Sequence, residues 1–195
     1  MNYFVLKTQA TSDGGLIELY PSKSPADYRF DRGESLIREF PRGASVGFSD
    51  NFPEARRLYD FQTNTLSALI VSGRVRKLLE SLEITNAEYL PVAVKNHQDE
   101  VVAEDYAIVN LVGAEDAIDM DKGVYRMNAL KKDQIGRINS LAIKESDIRP
   151  EAKMFRCTMM RRLILIREDV HEAFKREGLT GFKVYKAEGW DGLAL

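Results

Sequence analysis

The stretch that decides the fold class runs Arg161-Arg162-Leu163-Ile164-Leu165-Ile166-Arg167-Glu168-Asp169-Val170-His171-Glu172-Ala173-Phe174-Lys175-Arg176-Glu177-Gly178-Leu179-Thr180-Gly181-Phe182-Lys183-Val184-Tyr185. Its apolar run, 163–166, is short and β-branched enough to be a buried strand. A helix is expected over 168–177. Glu168 and Asp169 complement its positive N-terminal end, and Lys175 and Arg176 its negative C-terminal end. Val170, Ala173 and Phe174 share one face of that helix. Gly178 stands where a left-handed residue ends a helix, with Leu179 able to pack back on Phe174. The alternation over 182–185 predicts a second strand. Strand, helix and strand in this order predict an α+β fold, an antiparallel or mixed sheet packed against a few helices.

Working towards the N-terminus, Ile148-Arg149-Pro150 reads as a turn leading to an extension at Phe155-Arg156, and 138–143 as a strand. The stretch 125–130 carries no decisive period. Residues 115–122 predict a helical turn and loop, 106–112 a strand, and 89–95 a strand whose Pro91 demands an edge or irregular position. A long helix is expected over 64–82, because Leu66, Leu69, Ile70, Leu78, Leu79 and Leu82 recur at helical spacing. Gly73 weakens that helix by roughly 1 kcal/mol against alanine, so it marks a close approach by another element. Asp50 or Asn51 caps a short helix opening with Pro53 and Glu54. The first 50 residues read as strand-rich, with strands at 3–7 and 16–20, a turn at Ser12-Asp13-Gly14-Gly15, and a short edge strand at 28–30. Residues 35–40 form a strand or a turn. A single domain over 1–195 is expected, and His171 is expected as a solvated group on the C-terminal helix.

With 44% hydrophobic and 30% charged residues the composition is that of a globular protein. No apolar run approaches the roughly 18 residues of a membrane helix, and the opening Met-Asn-Tyr-Phe-Val-Leu-Lys is too short for a signal peptide. The single cysteine, Cys157, excludes an internal disulfide and fits a reducing compartment, so a cytoplasmic location is expected. The net charge of −2 hides an asymmetry. Asp99, Glu100, Glu104, Asp105, Glu115, Asp116, Asp119 and Asp121 occur with no Lys or Arg among them, whereas 122–167 holds twelve basic residues against four acidic, a net +8. Such blocks neutralise one another across a fold or form faces that steer different partners.

No constellation identifies a reaction. His97 and His171 are the only histidines, and with Cys157 they stand at no zinc-site spacing. The acidic residues 115–121 lack the alternation and central glycine of a calcium loop. Cys157 reads as a small core residue, no serine is read as a nucleophile elbow, and no glycine pattern cradles a phosphate. Neither a metal nor a cofactor is therefore expected. Arg161-Arg162 and Lys131-Lys132 lie near Tyr125 and Phe155, but no reader motif accompanies them and the pI of about 5.8 argues against nucleic acid.

The stretch 89–94, then 116–125, then Phe155-Arg156 with Arg162-Leu163-Ile164-Leu165-Ile166, and above all Asp169-Val170, Ala173-Phe174 and Gly178-Leu179-Thr180-Gly181-Phe182, resemble a bacterial immunity-protein family. It is the eleventh of the polymorphic-toxin immunity series, formerly a domain of unknown function. The resemblance covers about 60–185. It implies a non-enzymatic protein that binds and neutralises a cognate toxin, and is compatible with a homodimer. On this reading the eight acidic residues are expected to form part of the toxin-facing surface, complementing a basic substrate cleft. Two rivals are an enzyme using His97 or Cys157, which predicts a concave pocket around one of them, and a structural or regulatory homo-oligomer.

Overall fold

The computed structural model describes residues 1–66 and 68–193. Its contacts cluster into two compact units. The first takes Met1–Lys7, Gly113–Arg176 and the C-terminal stretch from Lys183; the second takes Thr8–Val112 and Glu177–Phe182. The protein is of the α+β class, and its largest sheet is mixed.

The strands are β1 (Tyr3–Thr8), β2 (Ile17–Leu19), β3 (Ser45–Phe48), β4 (Phe61–Gln62), β5 (Leu69–Val71), β6 (Ala87–Lys95), β7 (Val101–Leu111), β8 (Val124–Met127), β9 (Ile135–Ser140), β10 (Met154–Cys157), β11 (Met160–Arg167) and β12 (Phe182–Lys186). Helix α1 is Gly73–Ser81 and α2 is Glu168–Arg176.

In the first unit the quoted stretch forms as its pattern predicts. β11 lies inside a four-stranded sheet ordered β10-β11-β1-β12, antiparallel to both β10 and β1. Leu163, Ile164, Leu165 and Ile166 are all buried, which is why the run is continuously apolar rather than alternating. Leu163 and Leu165 join a core with Val5, Phe155, Ile138 and Leu141. Helix α2 packs on β11 with Val170, Ala173 and Phe174 buried. The two-stranded ribbon β8-β9 is tied to the same core by Ile135 and Ile138.

The second unit holds a six-stranded sheet ordered β2-β3-β6-β7-β5-β4, with β3 parallel to β6 and the other pairs antiparallel. Its core gathers Ile17, Leu36, Phe48, Ile70, Leu90 and Ile108. Pro91 sits in an interior strand, yet β3 reaches only Ala93–Lys95, so Pro91 lies where β6 lacks its second neighbour.

Several expectations are corrected. The helix over 64–82 is divided: its first half contains β5, and among the described residues of that range only Gly73–Ser81 is helical. Leu69, Ile70 and Val71 are fully paired with Val109, Ile108 and Ala107, and a short buried apolar run mimics a helical period. Asn64 shapes the approach locally, accepting from the Ala68 amide at 3.0 Å and donating to its carbonyl at 2.7 Å. Gly73 nevertheless marks a close approach as expected: a Cβ there would lie 2.8 Å from the Asp105 carboxylate. That carboxylate stands at the start of α1, where the helix dipole favours it. The edge strand expected at 28–30 is instead a 3-10 turn, Asp27–Arg29, whose arginine is clamped by Glu34 and Glu39. No helix follows Pro53; 53–54 form a turn. The strand placed at 138–143 is β9, three residues earlier. Residues 37–39 are a turn, and 119–123 close one helical turn through Gly123 N–H to the Asp119 carbonyl.

One buried carboxylate organises the second unit. Asp60 accepts from the Ser72 hydroxyl at 2.7 Å, from the Thr180 amide and hydroxyl at 3.0 Å each, and from Arg74 at 3.2 Å. Arg74 also donates to the Glu177 carbonyl at 2.7 Å. Ser72 stands at the N-cap of α1, so its hydroxyl serves Asp60 rather than the helix. Gly178 takes the left-handed conformation expected of it, φ +59°, and Leu179 is buried. Gly181 (φ +81°) has no room for a side chain, because a Cβ would meet the Phe61 carbonyl oxygen. Replacing Asp60 with alanine strands four donors, one of them the hydroxyl of buried Ser72, and is expected to cost about 2–4 kcal/mol. Urea unfolding of D60A checks this; a loss below about 1 kcal/mol would contradict the assignment.

Candidate functional site

Of the eight acidic residues, Asp99 and Glu100 lie in the turn of the β6-β7 hairpin and Glu104 and Asp105 on the first half of β7. Asn96 builds the turn: its side-chain oxygen accepts from the Gln98 amide at 2.9 Å and the Glu100 amide at 3.0 Å, and its amide group donates to the Glu100 carboxylate at 2.9 Å. Asp99 takes a positive φ of 63°, a conformation Asp tolerates better than most residues. Its carboxylate accepts from Lys95 at 2.8 Å. The strands leave the turn out of simple register. Lys95 pairs Val101, Val94 pairs Ala103 and Val92 pairs Tyr106, so β7 carries an extra residue in each interval. These two bulges break the alternation of a strand. Val101, Val102, Glu104 and Asp105 are all exposed, the valines at 49% and 44%. The hairpin therefore presents two aliphatic side chains flanked on both sides by carboxylates.

The other four belong to the first unit and divide between surface and interior. Asp116 and Asp121 are exposed. Glu115 is only 4% exposed and accepts from Arg149 through Nε at 2.9 Å and through the backbone amide at 3.2 Å. Its own backbone bridges Arg156 and Thr158 beside β10. Asp119 is also buried. Burial raises the Asp119 carboxyl, but hydrogen bonds from Lys122 and from the amides of Lys122 and Asp121 outweigh it and hold the group below its ordinary value. Local neutralisation between the acidic and basic blocks thus holds for Glu115 with Arg149 and for Asp119 with Lys122.

The residues considered for catalysis fall into different settings. Cys157 is fully buried, and burial followed by the nearby Asp116 and Glu115 pushes its thiol far up. His97 lines a cavity of about 340 Å³ with Tyr20, Asp50, Lys95 and Asp99, and its ring packs against Phe48 at 5.5 Å. Neither of its ring nitrogens has a hydrogen-bond partner among the described residues. Ser45 lines the same cavity, and Gly43-Ala44-Ser45-Val46-Gly47 does have the Gly-x-Ser-x-Gly spacing, which corrects the reading of the serines. A nucleophile elbow needs its serine at a sharp strand-to-helix turn. Ser45 instead opens β3, paired with Ala93, and no helix follows that strand. Among the described residues no group of three His, Cys, Asp or Glu side chains is arranged to hold a metal.

His171 is corrected from solvated to buried. It packs on Phe4 at 4.6 Å, and its Nδ1 has no hydrogen-bond partner among the described residues. No helix among the described residues is long and apolar enough to cross a membrane.

A model of the immunity protein family Imm11 matches residues 9–189, well beyond the C-terminal stretch. The chain belongs to the Imm11 immunity protein family. No curated protein matches it. The match reaches β2 and β3, well before the 60–185 region that carries the resemblance in sequence.

Two measurements follow from these settings. Burial lowers the His171 imidazole, with Lys175 adding to the effect and Glu172 and Glu168 opposing it. The unfolded chain then takes up the proton first, so the stability tied to neutral His171 is complete above roughly pH 6.5 and is lost as pH falls through the folded value below it. Thermal unfolding as a function of pH is expected to show this acid-side loss in the wild type and a flatter profile in H171L; parallel profiles would contradict it. The Cys157 thiol is expected to be inert to a thiol-specific reagent in the native protein and to react fully once unfolded. Rapid labelling of the native chain would show that β10 opens far more readily than its burial implies.

Proposed function

We propose that this chain neutralises a cognate bacterial toxin by binding it, without chemistry of its own, in the cytoplasm of the cell it protects. Membership of the immunity family supports the binding role. The single structural observation that carries the choice of surface is the doubly bulged β6-β7 hairpin. Bulges re-aim side chains next to functional sites, and here they turn out Val102, Glu104 and Asp105 beside Asp99, Glu100 and Val101. An aliphatic patch ringed by carboxylates suits a basic cleft: the charges accelerate encounter and burial of the valines adds apolar contact.

Asp116 and Asp121 are the exposed members of a separate acidic patch in the first unit, also assigned to the toxin-facing residues. Glu115 and Asp119 take the structural part, holding the 115–123 segment in shape while leaving contact to their exposed neighbours. The turn formed by Asn96 keeps the hairpin tip ordered before binding, which lowers the conformational cost of association.

The test is charge reversal of Asp99, Glu100, Glu104 and Asp105 to lysine, with the fold checked by circular dichroism. Stopped-flow association with the cognate toxin domain is expected to slow by about tenfold or more at low ionic strength and to lose most of its salt dependence. Unchanged association would remove this hairpin from the interface. Reversal of Glu115 is expected to act differently, lowering stability before it alters association.

A further inference from the structure

The β8-β9 ribbon carries an arrangement that the sheet alone does not explain. Arg126 and Arg137 are directly opposite one another in its register. Like charges in that position destabilise a ribbon. Both arginines are exposed, and among the described residues neither has a carboxylate at ion-pair distance. Arg162, from β11, donates to the Gly136 carbonyl at 3.2 Å, which brings a third guanidinium beside the pair. Lys7 continues the positive region on β1: burial and then Arg162 push its ammonium below its ordinary value. The loop between the strands adds Lys131 and Lys132 and exposes Leu130 almost completely, at 95%. Val124 and Met127, on the outer strand, are exposed as well.

Arginine and methionine amid exposed aliphatics form a surface of the kind that meets protein. Nucleic acid is less well served, since Tyr125, the ribbon's aromatic residue, is partly buried and its hydroxyl donates to the Asp119 carbonyl at 3.0 Å. What the arginines lack is a set of carboxylates, and a guanidinium accepts those as a two-pronged pair. The same chain carries a surface of that description. The β6-β7 hairpin exposes Val101 and Val102 among Asp99, Glu100, Glu104 and Asp105. With a net charge of only −2, two copies meet little long-range repulsion.

We propose that the β8-β9 ribbon is a self-association surface that receives the acidic β6-β7 hairpin tip of a second copy of this chain. The contact joins two different patches, so it closes into a small ring or extends by repetition. It needs no toxin and stands apart from the toxin-binding reading. Where both hold, toxin and second copy compete for one hairpin, and self-association keeps the toxin-facing carboxylates covered until the toxin arrives.

Sedimentation velocity of the full chain over a dilution series tests this at about 0.05 M and about 0.5 M salt, on either side of strong screening. The expected result is concentration-dependent association at low salt that weakens at high salt. R126E/R137E is expected to weaken it by about tenfold or more, as is E100K/E104K. Both variants keep their circular dichroism spectrum, and an equimolar mixture of the two regains association through the swapped charges. A chain that stays monomeric throughout, or association indifferent to salt and to both reversals, overturns the proposal. So does salt-sensitive binding of the monomer to a single-stranded oligonucleotide or to phosphatidylserine vesicles that R126E/R137E abolishes, which would assign the arginines to phosphate.

Discussion

Asp60 is the constraint on which the second unit depends. It draws together residues far apart in the chain: the start of β4, Ser72 and Arg74 at the head of α1, and Thr180 after the C-terminal helix. A buried carboxylate is costly unless its lone pairs are filled. Here they are filled by two hydroxyls, an amide and a guanidinium, so the donors have to be where they are for the charge to be tolerated. That requirement fixes the beginning of α1 and the path of residues 177–182, including the glycine at 181 that no larger residue can replace. The glycine stop that makes the C-terminal pattern recognisable is therefore also part of a tertiary lock, formed by a threonine that carries no local signal of its own.

The surface follows from a different departure from regularity. β6 and β7 form the longest pairing in the sheet, and a strict ladder would have hidden every second residue of β7 near the tip. Two bulges turn the residues outwards instead. β5 pairs β7 only at Val109, Ile108 and Ala107, so the tip projects beyond the pairing that stiffens the base. The rest of the acidic block is put to two uses. Glu115 and Asp119 are consumed by the interior, while Asp116 and Asp121 keep their charges in water. A run that looks uniform in sequence is thus sorted by which side chains find Arg149 or a turn amide.

What was legible in the sequence was what is encoded locally. The 163–166 strand, the α2 helix with its charged ends, the stop at Gly178 and the strand after it all follow from neighbours within a few residues. The helix expected over 64–82 failed because pairing of Leu69–Val71 with β7 is non-local, and its apolar spacing fits a helix equally well until β7 is in place. Asp60 was silent for the same reason, its partners lying 12 and 120 residues away. His171 looked solvated beside its charged neighbours, but it sits one position after Val170 on the buried side and stacks on Phe4 of β1. The hairpin surface did carry a sequence signal: Val101-Val102 followed by Glu104-Asp105 has no period of two, and a broken alternation inside a strong strand is the mark of a bulge. The serine motif at 43–47 shows the converse, a spacing present in sequence whose structural context is missing.

The most direct measurement of the proposed binding role is to co-purify this chain with a candidate cognate toxin domain and assay that domain's activity in the complex. The expected result is a stoichiometric complex in which the toxin is inactive and this chain is recovered unmodified, with activity returning when the complex is dissociated. A toxin domain that passes through unbound and fully active, or one that is chemically altered by catalytic amounts of this chain, would contradict it.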